Sequence, residues 1–212
     1  MRRSRTDRSS RPSVASGLAL FALRGVLGGS LVAHGSQKLF GAFDGEGLEN
    51  TAKMFDDNLA LEPEPLMATV AGVCEMGGGA LVLAGLGGPV GPAAIAGTMT
   101  VAARTAHAGK PYFAQRGGPE LAITNAAIAT ALGMTGFGRF SLDGRHRGWY
   151  PVVVRVAALA AGFAGGAWIV SRARSEQLAR ERAQSDASTD ANEDSYVTAG
   201  SLATERVRQS AR

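Results

Sequence analysis

The chain has 212 residues, a formal net charge of +4 and a single cysteine. One cysteine excludes an intrachain disulfide and any paired-cysteine redox or zinc motif. The excess of base is divided between the termini and one loop, a pattern of topology signals rather than of nucleic-acid binding. No GxxxxGK(S/T) phosphate loop, HExxH zinc helix or serine nucleophile elbow occurs, so no catalytic motif of the chain's own is visible.

Residues 1–16 form a basic arm, with Arg2, Arg3, Arg5, Arg8 and Arg11 against Asp7 alone. Such an arm fits a secretion leader or a cytoplasmic flank. The block after it contains Arg24 and runs on into His34 and Lys38, which favours an uncleaved first span with a cytoplasmic N-terminus. Four apolar blocks follow one another: Gly17–Ala33, Leu66–Leu86, Val90–Ala108 and Leu121–Phe137. A fifth runs from Pro151 to Val170. Roughly 20 helical residues cross a hydrocarbon core. The expected fold is therefore an all-α integral membrane protein, a four-helix transmembrane bundle with a fifth hydrophobic helix.

The loop 41–65 holds Asp44, Glu46, Glu49, Asp56, Asp57, Glu62 and Glu64 against only Lys53, and this scarcity of base places it outside. Within it Leu48, Thr51, Phe55 and Leu59 recur at helical spacing. They predict a short amphipathic helix at the membrane interface, ended by Pro63 and Pro65. The link Leu86-Gly87-Gly88-Pro89-Val90-Gly91-Pro92 predicts a tight cytoplasmic turn between antiparallel helices. The link 109–119, with Lys110 and Arg116, then falls outside. The loop 138–149, with Arg139, Arg145 and Arg147, falls inside, and Trp149 and Tyr150 fit the aromatic belt. Region 144–170 thus joins a basic loop to the fifth segment, where Arg155 can snorkel to the interface. If that segment crosses, the tail 171–212 lies outside, yet Arg172, Arg174, Arg180 and Arg182 pull the other way. Five spans are preferred to four plus an interfacial segment. The stretch Arg172–Gln184 reads as a charged helix able to dock a partner, and Ser185–Arg212, polar and poor in aromatics, as disordered.

Leu23-Arg24-Gly25, with Ala33-His34-Gly35-Ser36-Gln37-Lys38-Leu39-Phe40-Gly41 after it, resembles the first-helix signature of DoxX-type membrane proteins. Glu75 before a glycine run, His107 after the third block and Gly138-Arg139-Phe140-Ser141-Leu142-Asp143 after the fourth extend the resemblance over residues 17–143. It implies a bacterial inner-membrane protein with a four-helix core. Some members of the wider family are linked to quinone-coupled sulfur oxidation and others to redox homeostasis. The fifth block and the tail depart from that pattern.

Ionisable groups inside a span cost about 2.5–3.5 kcal/mol each on insertion scales, so each calls for a partner or a purpose. Arg24 and Glu75 lie near the middles of the first two spans and suggest an interhelical ion pair that fixes register. His34, Gln37 and Lys38 share one helical face. Arg104 and His107 end the third span, and Asn125 lies in the outer third of the fourth. Together with Glu75 these six suggest a ligand pocket open to the outer face, where two histidines and a carboxylate could exchange protons with a quinone or another small polar-headed ligand. The bland alternative is that His34, Lys38 and His107 only mark the interface. Metal binding is disfavoured, since no HxxxH or HxxE pairing exists. GxxxG spacings at Gly25/Gly29 and Gly162/Gly166, with Gly77-Gly78-Gly79, suggest close helix contacts within or between subunits.

Three functions remain open at this point. The first is a non-catalytic membrane anchor or subunit of a redox or oxidative-stress assembly, with soluble redox enzymes or a second copy as partners. The second is a quinone-binding subunit of a membrane oxidoreductase. The third is a transporter or channel. Besides a possible quinone no cofactor is evident, and no haem, flavin or cluster ligands are present.

Overall fold

A computed structural model describes residues 13–145 and 150–210, and every regular element among them is helical. The arginines at positions 2–11, with Arg147 and Trp149, lie outside the described residues. Helix α1 (Val14–Phe40) begins where the Ser13 side chain accepts the Ser16 N–H at 3.0 Å, a side-chain N-cap. It ends at Gly41, whose φ of 70° is a left-handed conformation that suits glycine. Helix α2 (Gly47–Met54) continues as a π-helical turn, Phe55–Leu59. Helix α3 (Glu64–Ala84) opens with Pro65 in its first turn, where a missing N–H is harmless. Pro89 leads into α4 (Val90–Arg104) and Pro119 into α5 (Glu120–Thr135). Helix α6 runs from Val152 to Ser210.

All five hydrophobic blocks are helical, but they differ in reach. Three helices have the length and apolar character to cross a membrane: α1, α3 and the stretch Val152–Thr189 of α6. With 15 and 16 residues, α4 and α5 rise only about 22–24 Å, short of a hydrocarbon core of about 30 Å. The shortening has a local cause. Helix α4 stops at Arg104 instead of continuing to Ala108, and α5 is bracketed by Pro119 and Gly136. The lengths thus support three spans directly.

Helix α1 lies along α3, α3 along α4 and α4 along α5. Leu27, Leu31, Val82, Ile95, Met99, Ala129 and Leu132 fill the middle. Lipid tails are as apolar as these side chains, so close backbone packing must hold the helices together. Between α1 and α3 it does. A Cβ on Gly28 would stand 2.7 Å from the Gly79 carbonyl oxygen, and one on Gly79 would stand 2.9 Å from that of Gly28. The expected Gly25/Gly29 contact face is not used within the chain: an added Cβ at either position, or at Gly77, meets nothing within 4 Å. The packing glycines of α1 are Gly28 and Gly35, seven residues apart and about a quarter turn around the helix from the Gly25/Gly29 stripe. Large apolar side chains instead cover the outside, with Val26 72%, Val153 71% and Trp168 62% exposed. A surface of this kind suits lipid rather than water.

The amphipathic segment of the acidic loop is helical, as its spacing predicts, and its apolar side is buried against the bundle. Phe55 and Leu59 are buried against Ala68, with Val101, Ala106 and Ile169 alongside. Its apolar stripe has found the end of the bundle to bury against.

By contacts the chain divides after Ala173. Within the first unit α6 supplies Gly162 and Gly166, which press on Gly97 of α4, and Leu159, which packs beside Gly133 of α5. In the second unit the helix continues through Ser210, where composition suggested disorder from Ser185 onward. That stretch contains no proline and a single glycine, Gly200. Its Ala, Glu, Gln and Arg residues favour a helix by local propensity alone.

Candidate functional site

Two polar clusters sit at different depths of the bundle, and the helix register separates them. Gly28 packs on Gly79 and Leu83, and Gly35 on Gly72 and Met76. This antiparallel register sets Arg24 opposite Gly85 and Glu75 opposite His34 and Gly35. The two charges expected to pair are therefore about ten residues apart in level, or roughly 15 Å of helix rise. They do not pair.

Arg24 is 2% exposed and spends its guanidinium on main-chain carbonyls. Its Nε donates to Val82 O at 2.9 Å and its Nη2 to Leu83 O at 2.7 Å. Nη1 donates to Phe137 O at 3.2 Å and to Phe140 O at 2.9 Å. Val82 and Leu83 lie in the last turn of α3, whose carbonyls carry the negative end of the helix dipole; Val82 O also accepts the Gly85 N–H at 3.0 Å. The rings of Phe21 and Phe137 flank the cation at 5.7 and 5.8 Å. Gly85 must be glycine twice over: its φ is 67°, and a Cβ there would stand 2.7 Å from the Arg24 guanidinium carbon. Asp143 completes this end by accepting the Gly88 N–H at 2.8 Å and donating its own N–H to Gly85 O at 2.9 Å. The Arg155 side chain donates to Tyr150 O and Met134 O, at 3.0 and 2.8 Å, and Tyr150 is half-buried against Gly88.

The second cluster borders a cavity of about 380 Å³ walled by α3, α4 and α6 and roofed by Phe55, Leu59 and Leu61. The volume is within the range of small-molecule sites. Its walls are mostly apolar: Met67, Val70, Ala71, Ala94, Val101, Ala161, Gly162 and Ile169. Glu75 from α3 and Lys38 from α1 reach it as an ion pair, Nζ to Oε2 at 2.5 Å, with side chains 5% and 26% exposed. Cys74 and Thr98 line it too and touch each other. Since Gly78 meets Gly91 and Ile95, Glu75 stands level with Gly97 and Thr98. His107 lines the cavity about ten residues further along, roughly 15 Å away by helix rise. Its Nδ1 lies 2.6 Å from Gly117 O. A carbonyl only accepts, so Nδ1 is the donor in this contact.

The expected pocket is thus narrower in membership and less polar than the spacing suggested. Lys38, Glu75 and His107 meet it; His34, Gln37, Arg104 and Asn125 do not. His34 is exposed and bonded to Gln37 at 3.1 Å, on the outer side of α1. Arg104 is also exposed, and Asn125 points its amide at Met99 Sδ, 3.9 Å away. The roof residues Phe55 and Leu59, and the α6 wall, were not expected at the site. The amphipathic spacing of the acidic loop and the Gly162/Gly166 pair were their signals. Among the described residues no cluster of three metal-ligating side chains occurs.

The family model that matches this chain is that of DoxX, over residues 19–108. The match is shorter than the sequence resemblance, which ran on to Asp143. No curated protein and no solved structure matches the chain. The matched stretch begins in α1, holds the ion pair and the cavity's α3 and α4 walls, and closes just past His107; over these residues the chain is similar to DoxX.

Proposed function

We propose that this chain is a multi-pass protein of a bacterial plasma membrane, a non-catalytic DoxX-type subunit of a redox or oxidative-stress assembly that holds a quinone-class amphiphile in its cavity. The observation carrying this reading is an apolar chamber into which a buried carboxylate and an ammonium are brought from different helices. A site of that composition offers a body-sized apolar space and one anchored polar point. The topology that accompanies it has the Arg24 end and the N-terminus in the cytoplasm and the roofed end outside. Basic Arg139, beside the Arg24 end, and the acidic loop 41–65, which forms the roof, support that orientation.

The test is purification of the full chain from its own membranes in mild detergent, followed by solvent extraction and mass spectrometry. The reading expects an amphiphile in near-stoichiometric amount, lost when Val101→Trp fills the cavity. A well-folded chain that comes out empty and takes up no quinone overturns it. A second reading, an anchor for soluble redox enzymes, has its own support in the separate charged helical unit beyond Ala173. Enzymes co-purifying in fixed ratio and lost on truncation after residue 173 would favour it.

A further inference from the structure

The Glu75 carboxylate is half used. Its Oε2 receives Lys38, and among the described residues Oε1 has no hydrogen-bond partner. No fully buried side-chain oxygen or nitrogen lacks a partner, so Oε1 faces accessible space, and the space that Glu75 borders is the cavity. Lys38 likewise makes one hydrogen bond with a group that carries three N–H donors. The pair therefore presents an idle charged acceptor and an idle charged donor side by side, at the end of an apolar chamber.

We infer that the cavity selects amphiphiles whose head is a hydroxyl, and so prefers the reduced, quinol form of a quinone-class ligand to the oxidised form. This rests on the cavity-binding reading above and specifies its ligand. A hydroxyl can donate to Glu75 Oε1 while its oxygen accepts from Lys38 Nζ, which satisfies both groups. A quinone carbonyl only accepts. It can meet Lys38, but it turns a lone pair toward Oε1 and leaves a buried charged acceptor unsatisfied. Discrimination by a missing donor at a desolvated polar site is large, because the site's own group is left unpaired. The apolar walls and roof contribute equally to both forms, since the two differ only at the head.

The full-length chain in detergent, kept anaerobic, can be titrated separately with decylubiquinol and decylubiquinone. Apparent Kd values follow from the rise of the thermal midpoint with ligand concentration. The inference expects the quinol to bind at least about tenfold more tightly. In Glu75→Gln, close in shape but with an amide N–H able to meet a carbonyl, the preference should shrink to near unity or reverse. Equal binding of both forms by the natural sequence, or a preference that survives in Glu75→Gln, overturns the inference while leaving the cavity reading standing. If neither form raises the midpoint of a cooperatively melting protein, the cavity reading fails and the inference fails with it.

Discussion

The two polar ends of this bundle look alike in the sequence, each a charge inside an apolar helix, and they are built on opposite principles. At one end Arg24 donates to four carbonyls and sits between two aromatic rings. At the other, Glu75 makes one bond to Lys38 and keeps an oxygen toward an apolar-walled cavity. The first cation is consumed by the fold; the second pair keeps bonding capacity in reserve. A buried charge is thus better judged by how many of its valences are filled than by its presence in a span.

The sharpest way to break this comparison is Arg24→Met. It removes the Arg24 donor from Leu83 O of α3 and from Phe137 O and Phe140 O of the α5–α6 link at once, and should cost about 3–5 kcal/mol, read as a collapse of the unfolding midpoint in detergent. Arg24→Lys should recover only part, because an ammonium cannot reproduce the planar fork. Next comes the cavity wall. Gly97→Ala places a Cβ 2.9 Å from the Gly162 carbonyl oxygen, and prising α4 from α6 should cost about 1–3 kcal/mol. By contrast Gly25→Ala, with open space around it, should stabilise by roughly 0.5–1 kcal/mol, unless that face packs on another chain.

A smaller loss is expected for Glu75→Leu, about 1–2 kcal/mol. The freed Lys38, 26% exposed, can swing its flexible stem toward polar surroundings. The signature here is functional: ligand-dependent stabilisation disappears while most of the fold remains. If Glu75→Leu proves as damaging as Arg24→Met, the contrast between the two ends is wrong.

The smallest effect belongs to Glu49 and Lys53, an exposed pair one turn apart on α2, 2.8 Å between charged atoms. The hydrogen bond from Lys53, and then its charge, hold the Glu49 carboxyl below the usual carboxylate range. A depressed carboxyl stabilises above its unfolded pKa, and that contribution fades as pH falls through the folded value. Lys53→Met should therefore leave the neutral-pH midpoint almost unmoved and slightly flatten its decline on acidification.

Much of the fold was legible. Blocks of apolar residues punctuated by Gly-Pro pairs marked the five hydrophobic helices, and the spacing of Leu48, Thr51, Phe55 and Leu59 marked α2. Lys38, Glu75 and His107, three of the expected pocket residues, line one cavity. What misled was register and rotation, which composition does not encode. Opposite charge joined Arg24 to Glu75 on paper, but the interlocking of Gly28 with Gly79 and Gly35 with Gly72 sets them a full ten residues apart in level. His34 and Lys38 are four residues apart, yet one faces outward and the other reaches α3. Arg104 and Asn125 sit at about the expected height on their helices and on the wrong sides. The rotation of a helix about its own axis depends on the neighbour it packs against, and here those neighbours are chosen by the placement of glycines.

The α4–α6 crossing has a wider implication. Residues 19–108 supply the charged pair, but the wall formed by Ala161, Gly162, Gly166 and Ile169 comes from a helix outside the matched stretch. In the proposed function, the head of a ligand and its body are met by two different pieces of chain. Substitutions in the α6 wall would then retune which hydrocarbon body that reading accepts, with the Lys38–Glu75 pair left untouched.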